Sequence, residues 1–274
     1  NYFYGKNRFK WSKTPPSASR TRRQNIVIRL PGLKGPALQN KPPTPLEAWS
    51  LLITEAMLQV ITDETNAHIS ELSANYGDTA SYVNHMSLSE LKTFLGPIYF
   101  AGLFKSNHED VDTLFATDGT GRPIFRATMT KERFLFLLSA IRFDNRETRA
   151  ERKDAGDKLA HISNIFQQFI DNSKSNYTCS EFATIDEMLV GFKGRCSFRV
   201  YLQNKPEKYG LKIMCLRCAK IHYLINAFIY SGKTTAPNPR KLSIPTQSVL
   251  SLVEPIVQTN RNVTADNWFT SVEL

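Results

Sequence analysis

The stretch E181-F-A-T-I-D-E-M-L-V-G-F-K-G-R-C-S-F-R199 decides how the chain is read. Ala183, Ile185, Met188, Leu189 and Val190 form a short apolar run closed by Gly191, which is the pattern of a strand. Strands disfavour aspartate, and a carboxylate withdrawn from water needs a cation, a metal or hydrogen-bond donors. The acid pair Asp186-Glu187 inside this run therefore calls for a basic partner, a bound ion or a solvent-facing position. Because side chains alternate along a strand, Glu187 faces away from Asp186, and it reads as structural.

Downstream, 210–219 and 221–230 are rich in Ile, Leu, Tyr and Phe and nearly contiguous, as in an antiparallel meander closed by a tight hairpin. The segment S243-I-P-T-Q-S-V-L-S-L-V-E-P-I-V-Q258 reads as a helix with Val249, Leu252, Val253 and Ile256 inward. A short strand over N262-V-T-A-D-N-W-F269 follows and ends at a second acid, Asp266, whose alternative role is a helix N-cap for the residues after it, or simply a turn residue. Between the first two strands, Lys193, Arg195, Arg199, Lys205 and Lys208 stand against Glu207 alone. Such a long basic connection reads as a phosphate-binding surface, or else as a solvated excursion. Cys215 and Cys218, in C-L-R-C, lack a second pair at zinc spacing and read as buried packing rather than a zinc site.

Upstream of this sheet the period is helical. T44-P-L-E47 carries a cap, a proline at the first helical position and a capping-box glutamate, and S87-L-S-E90 repeats the logic. Leu51, Leu58 and Ile61 predict one helical face, and Leu91, Phe94, Leu95 and Ile98 another, bent at Gly96-Pro97. Phe134, Leu137, Leu138 and Ile141 form a third stripe, and Leu159, Ile162, Ile165, Phe166 and Phe169 a fourth. His68 and His161 lie among these stripes without the spacing of a metal site.

Charge separates the ends of the chain. The 274 residues carry a net charge of +10, and residues 1–41 hold ten Lys or Arg with no Asp or Glu, so the whole surplus lies in that arm. Tyr2, Phe3, Tyr4, Phe9 and Trp11 are interleaved with the bases, the composition of a polyanion-binding segment or of a solvated flank. R20-T-R-R23 also fits part of a nuclear-import signal. At 41% hydrophobic residues the chain is globular. No apolar run is long enough for a membrane span, four unevenly placed cysteines make no disulfide framework, and Asn1 reads as an internal start.

The ordered series K10-W-S-K-T-P-P16, S19-R-T-R-R-Q-N-I-V27, L88-S-E-L-K-T-F-L-G-P-I-Y-F-A-G-L103, M129-T-K-E-R-F134, T184-I-D-E-M-L-V-G-F-K-G-R195, N204-K-P-E-K-Y-G-L-K-I213 and T264-A-D-N-W-F-T-S271 resembles piggyBac-type transposases and their domesticated relatives. The resemblance spans nearly the whole chain. It implies an α+β protein with a basic DNA-contacting arm (1–43), a helical DNA-binding and dimerisation domain (44–180) and the first part of a ribonuclease H-like catalytic domain (181–274). It places two of three catalytic, metal-holding aspartates on Asp186 and Asp266, with Mg²⁺ or Mn²⁺ as cofactor. The third Asp and a cysteine-rich zinc module would lie beyond Leu274, Glu273 being a substitute only seven residues past Asp266, so the chain alone is expected to be inactive in cleavage. Implied partners are duplex DNA, transposon ends, TTAA-type targets and a second copy in a homodimer, in the nucleus, with no membrane. Arg20, Arg22 and Arg23 join the basic residues of 193–208 as candidate DNA contacts. A non-catalytic DNA-binding descendant and a protein-interaction scaffold remain alternatives.

Overall fold

A computed structural model describes residues 2–5, 10–14, 26–76, 80–232 and 242–271. Arg20, Arg22, Arg23, Phe9 and Glu273 lie outside the described residues. In chain order the elements are β1 (Tyr2–Tyr4), β2 (Lys10–Ser12), β3 (Gly32–Leu33), α1 (Gly35–Asn40), α2 (Pro45–Ser50), α3 (Glu55–Ser73), α4 (Leu88–Leu103), α5 (Val111–Leu114), α6 (Pro123–Thr128), α7 (Lys131–Ala140), α8 (Arg146–Asp154) and α9 (Ser163–Asn176). There follow β4 (Tyr177–Thr178), β5 (Phe182–Gly191), β6 (Val200–Tyr201), β7 (Tyr209–Cys218), β8 (Leu224–Ile229), α10 (Ile244–Val253) and β9 (Asn262–Ala265). The chain is thus α+β. No helix of the described residues is long and apolar enough to cross a membrane.

Two compact units emerge, one of Leu52–Phe169 and one joining Asn1–Leu51 to Ile170–Leu274. In the first, α3 buries Met57, Leu58, Ile61, Thr62, Thr65 and Ile69 along one helical stripe. Phe94 and Phe134 meet at 5.5 Å between ring centroids, and Phe115 reaches Phe134 at 5.4 Å and Phe125 at 5.7 Å. The core of this unit thus includes a cluster of tilted and edge-on aromatic rings beside its aliphatic stripe.

Five helical expectations need correction. Ile98 is exposed, and Leu159 and Ile162 lie in the turns before α9, which begins at Ser163. Leu51 does not continue the face of Leu58 and Ile61: α2 stops at Ser50, and Thr54 starts α3 by accepting the N–H of Met57. The Thr44–Glu47 capping box is complete, but in Ser87–Glu90 only the serine half forms. Glu90 instead closes on the guanidinium of Arg133 through two bonds of 2.7 and 2.8 Å. Arg133 also donates to the carbonyls of Tyr82, Asn84 and His85. This buried arginine turns α7, so that its inward residues are Arg133, Phe134, Phe136, Leu137 and Ala140 while Leu138 is exposed.

In the second unit β5 pairs antiparallel with β7, and β7 antiparallel with β8, as the meander requires. The β7–β8 connection is five residues long, closed by Cys218 N–H on Tyr223 O. The short β6 adds to the start of β7, and β9 lies parallel to β5 on its other side. Gly210 makes the tight crossing possible: a Cβ there would stand 2.2 Å from the Val190 carbonyl oxygen. One sheet face, with Ala183, Ile185, Met214, Leu216 and Cys218, is covered by Val249, Leu252 and Ile256 together with Phe269. Asn226 fixes α10 to this face by donating to Ser251 O and Leu252 O, both at 3.0 Å.

Candidate active site

β5 alternates as its sequence demands. Ala183 and Ile185 are buried under α10, whereas Asp186 is exposed and shares the open face with Met188 and Val190. Glu187, on the opposite side, meets Lys205 Nζ at 3.3 Å. The acid pair is thereby divided. Glu187 has a cation, while Asp186 has no ion-pair partner among the described residues, and its Oδ1 accepts the N–H of Glu187 at 2.8 Å.

The parallel pairing of β5 with β9 brings the second acid to the first. Ile185 stands opposite Ala265 at the end of the ladder, and Asp186 and Asp266 are each the next residue. Strand spacing puts their backbones about 5 Å apart. Asp266 opens a turn in which its Oδ1 accepts the N–H groups of Trp268 at 3.0 Å and Phe269 at 3.3 Å. Of the two alternatives for Asp266 the turn is the one formed, no helix following it among the described residues, and one oxygen fills it. In both carboxylates the second oxygen takes no hydrogen bond among the described residues.

Two exposed carboxylates at one level, each with a free oxygen and neither neutralised by a base, suit a hard divalent cation such as Mg²⁺ or Mn²⁺. Among the described residues no third acid, histidine or cysteine joins them in a group fit to hold an ion. Cys215 is paired across from Asp186, but burial pushes its thiol up, keeping it protonated.

Beyond the end of β5, on the connection that leaves it at Gly191, lie bases the sequence singled out, and β7 carries others it missed. Lys193, Arg195, Arg199 and Lys208 are exposed on the 192–208 connection, and Lys205 is half-buried on Glu187. Arg199 braces its own loop by donating to Lys193 O at 3.0 Å and Gly194 O at 3.2 Å, with its guanidinium 5.4 Å from the Tyr209 ring centroid. Two bases on β7 were missed. Arg217 pairs across from Thr184, on the face of Asp186, and Lys212 sits 4.2 Å over the ring of Trp268. Both sit in the apolar run L211-K-I-M-C-L-R-C218, where a charged residue inside a strand is the available signal.

The family described as Transposase IS4 matches residues 44–274. A cryo-EM structure of a piggyBac transposase synaptic complex with hairpin DNA superposes with a TM-score of 0.80 and 31% identity over 89% of this chain. The chain belongs to the piggyBac-type transposases. Two human relatives, PiggyBac transposable element-derived protein 3 and the Chimeric ERCC6-PGBD3 protein, are each 22% identical to this transposase chain over 249 residues, 84% of it. The transposase chain spans 37% and 21% of those two proteins and 50% of the chain in the synaptic complex.

Proposed function

We propose that this transposase chain binds duplex DNA and contributes, through Asp186 and Asp266, two carboxylates of a metal-dependent site for cutting and joining DNA strands. The observation that carries the reading is the register of β5 and β9, which sets the two aspartates side by side with one oxygen each left free. The strand order β8–β7–β5–β9, with only the last pair parallel, supports the ribonuclease H-like assignment.

Mg²⁺ or Mn²⁺, when bound, would polarise the phosphoryl oxygens and activate the attacking hydroxyl. The chain's own part is positional. β5 and the turn that follows β9 carry the carboxylates, and the N–H groups of Glu187, Trp268 and Phe269 fix one oxygen of each, so that the other would be left to hold the ion. The open sheet face leaves room for a strand of DNA, and Lys193, Arg195, Arg199 and Lys208 on the connection after β5 offer contacts for its phosphates, joined by Lys205 where it leaves Glu187. Arg20, Arg22 and Arg23 extend that contact along the arm. In the same reading the protein works as a homodimer on transposon ends and TTAA-type targets in the nucleus.

The test is the rise in melting temperature on adding Mg²⁺ or Mn²⁺. Wild type should respond, and Asp186→Asn and Asp266→Asn should each lose most of the response. Equal responses in all three would overturn the shared ion site.

A further inference from the structure

A second group of cations lies at the opposite end of the β5–β9 pair. Arg261, the residue before β9, donates from Nε to Cys179 O and Ser180 O at 2.9 Å and from Nη2 to Cys179 O at 2.8 Å. Its Nη2 also reaches Arg29 O at 2.9 Å, and Asn260 Nδ2 donates to Ile26 O at 2.9 Å. These bonds fasten the arm across the base of the sheet.

Two residues after β3 begins its pairing with β4, the arm is fastened again. Lys34 N–H donates to Asn176 O at 3.0 Å, and Gly35, at φ +50°, approaches Ser175 so closely that a Cβ would stand 2.7 Å from its carbonyl oxygen. The Lys34 backbone is therefore fixed, with its side chain half-buried beside Arg29 and Arg261. Burial, and then repulsion from those two arginines, pulls its amine below the usual lysine range.

None of the three cations meets an acid within ion-pair distance among the described residues. Like charges held together by backbone contacts raise the energy of the free protein and are relieved by an anion.

We propose that Arg29, Lys34 and Arg261 form a binding site for a phosphodiester of the DNA backbone, separate from the acid pair. From Arg261 to Asp266 is five residues of extended chain, about 16 Å. That corresponds to roughly five steps of duplex DNA at 3.4 Å each, so one duplex can reach both places. An exposed guanidinium and a half-buried amine presented from a fixed backbone suit a phosphate oxygen, and contact through charge alone is made to the DNA backbone rather than to base edges. The inference rests on the DNA reading above.

The experiment measures affinity of the chain for a 30-base-pair duplex across a salt series. Arg29→Gln with Lys34→Gln removes two charges whose side chains make no hydrogen bond among the described residues, so folding should persist. Affinity should fall about tenfold at 0.1 M salt, and the slope of log affinity against log salt should shrink by about one. Lys34→Arg should restore most of what Lys34→Gln alone loses. Unchanged affinity and slope in the double variant would overturn the site while leaving the DNA reading intact. Failure of wild type to bind the duplex would overturn both, whereas the Asp186-dependent response to Mn²⁺ should survive in the double variant whichever way binding moves. A second measurement uses the unaltered protein: reductive methylation of the Lys34 amine, followed by mass spectrometry, should slow when duplex is present, and an unchanged rate would also overturn the proposal.

Discussion

Arg133 and Arg261 both draw backbone carbonyls around a guanidinium, but Arg133 closes on Glu90 and Arg261 meets no acid among the described residues. The contrast extends to their surroundings. Within 52–169, Arg122 pairs with Glu109, Lys131 with Asp112, Arg146 with Glu71, Arg149 with Asp144 and Arg152 with Asp157. In the unit of 1–51 and 170–274, Lys174–Asp171 and Lys205–Glu187 are the ion pairs among the described residues, and Arg29, Lys34, Lys193, Arg195, Arg199, Lys208 and Arg261 are left without acids. Charges balanced inside the molecule act on its own stability. Charges left unbalanced on a surface act on whatever polyanion approaches it.

The largest effects should come from the cores that support this difference. Phe269 is fully buried, fills the space between the sheet and α10, and offers its N–H to Asp266. Phe269→Ala should cost about 3–5 kcal/mol in urea unfolding and should also weaken the metal response, because the turn holding Asp266 loses its anchor. A loss of stability with an unaltered metal response would separate the turn from the ion site.

Arg133→Met comes next. It leaves Glu90 and three carbonyls without their donor, and should cost about 3 kcal/mol while sparing DNA binding. A cost below about 1 kcal/mol would mean that the paired charges of 52–169 are surface ornament, and the comparison would break.

How far the sequence foretold this arrangement depends on the range of the interaction. The alternation around Asp186 is local and was legible, as were the Thr44 cap and the inward residues of α10. The break before α3 was hidden because Leu51, Leu58 and Ile61 keep a helical spacing straight through it, and Thr54 caps without an acid at the third helical position. The stripe of α7 was misplaced because a buried arginine was counted as polar. Asp186 and Asp266 could be named from resemblance, yet their adjacency is a matter of parallel register, which no local pattern encodes. The Arg29, Lys34 and Arg261 group was invisible for the same reason, since a turn at 260–261 meets an arm more than two hundred residues earlier.

Within the open unit, Asp186→Asn should change stability by little while abolishing most of the metal response. Two surface carboxylates carried on backbones about 5 Å apart repel weakly, so neutralising one should raise the melting temperature of the metal-free protein by the equivalent of about 0.5 kcal/mol. The sign is the sharp part. A destabilised Asp186→Asn would mean that Asp186 already has a cationic partner in solution, and the unbalanced character of this face would be lost.

The smallest effect concerns the other half of the acid pair. Lys205 and Glu187 stand 3.3 Å apart, with the lysine side chain 35% exposed and the glutamate 17%, so their attraction is partly screened. Pairs of this kind contribute about 0–1 kcal/mol. Glu187→Gln should therefore lower stability by no more than that, and it should free Lys205 from its one acid. If the 192–208 connection is a phosphate surface, duplex affinity should rise two- to threefold at low salt, with a slightly steeper salt dependence. If Lys205 serves only to neutralise Glu187, affinity should stay where it was, and the measurement would then assign this lysine to the balanced side of the molecule, leaving Lys193, Arg195, Arg199 and Lys208 to carry the contact.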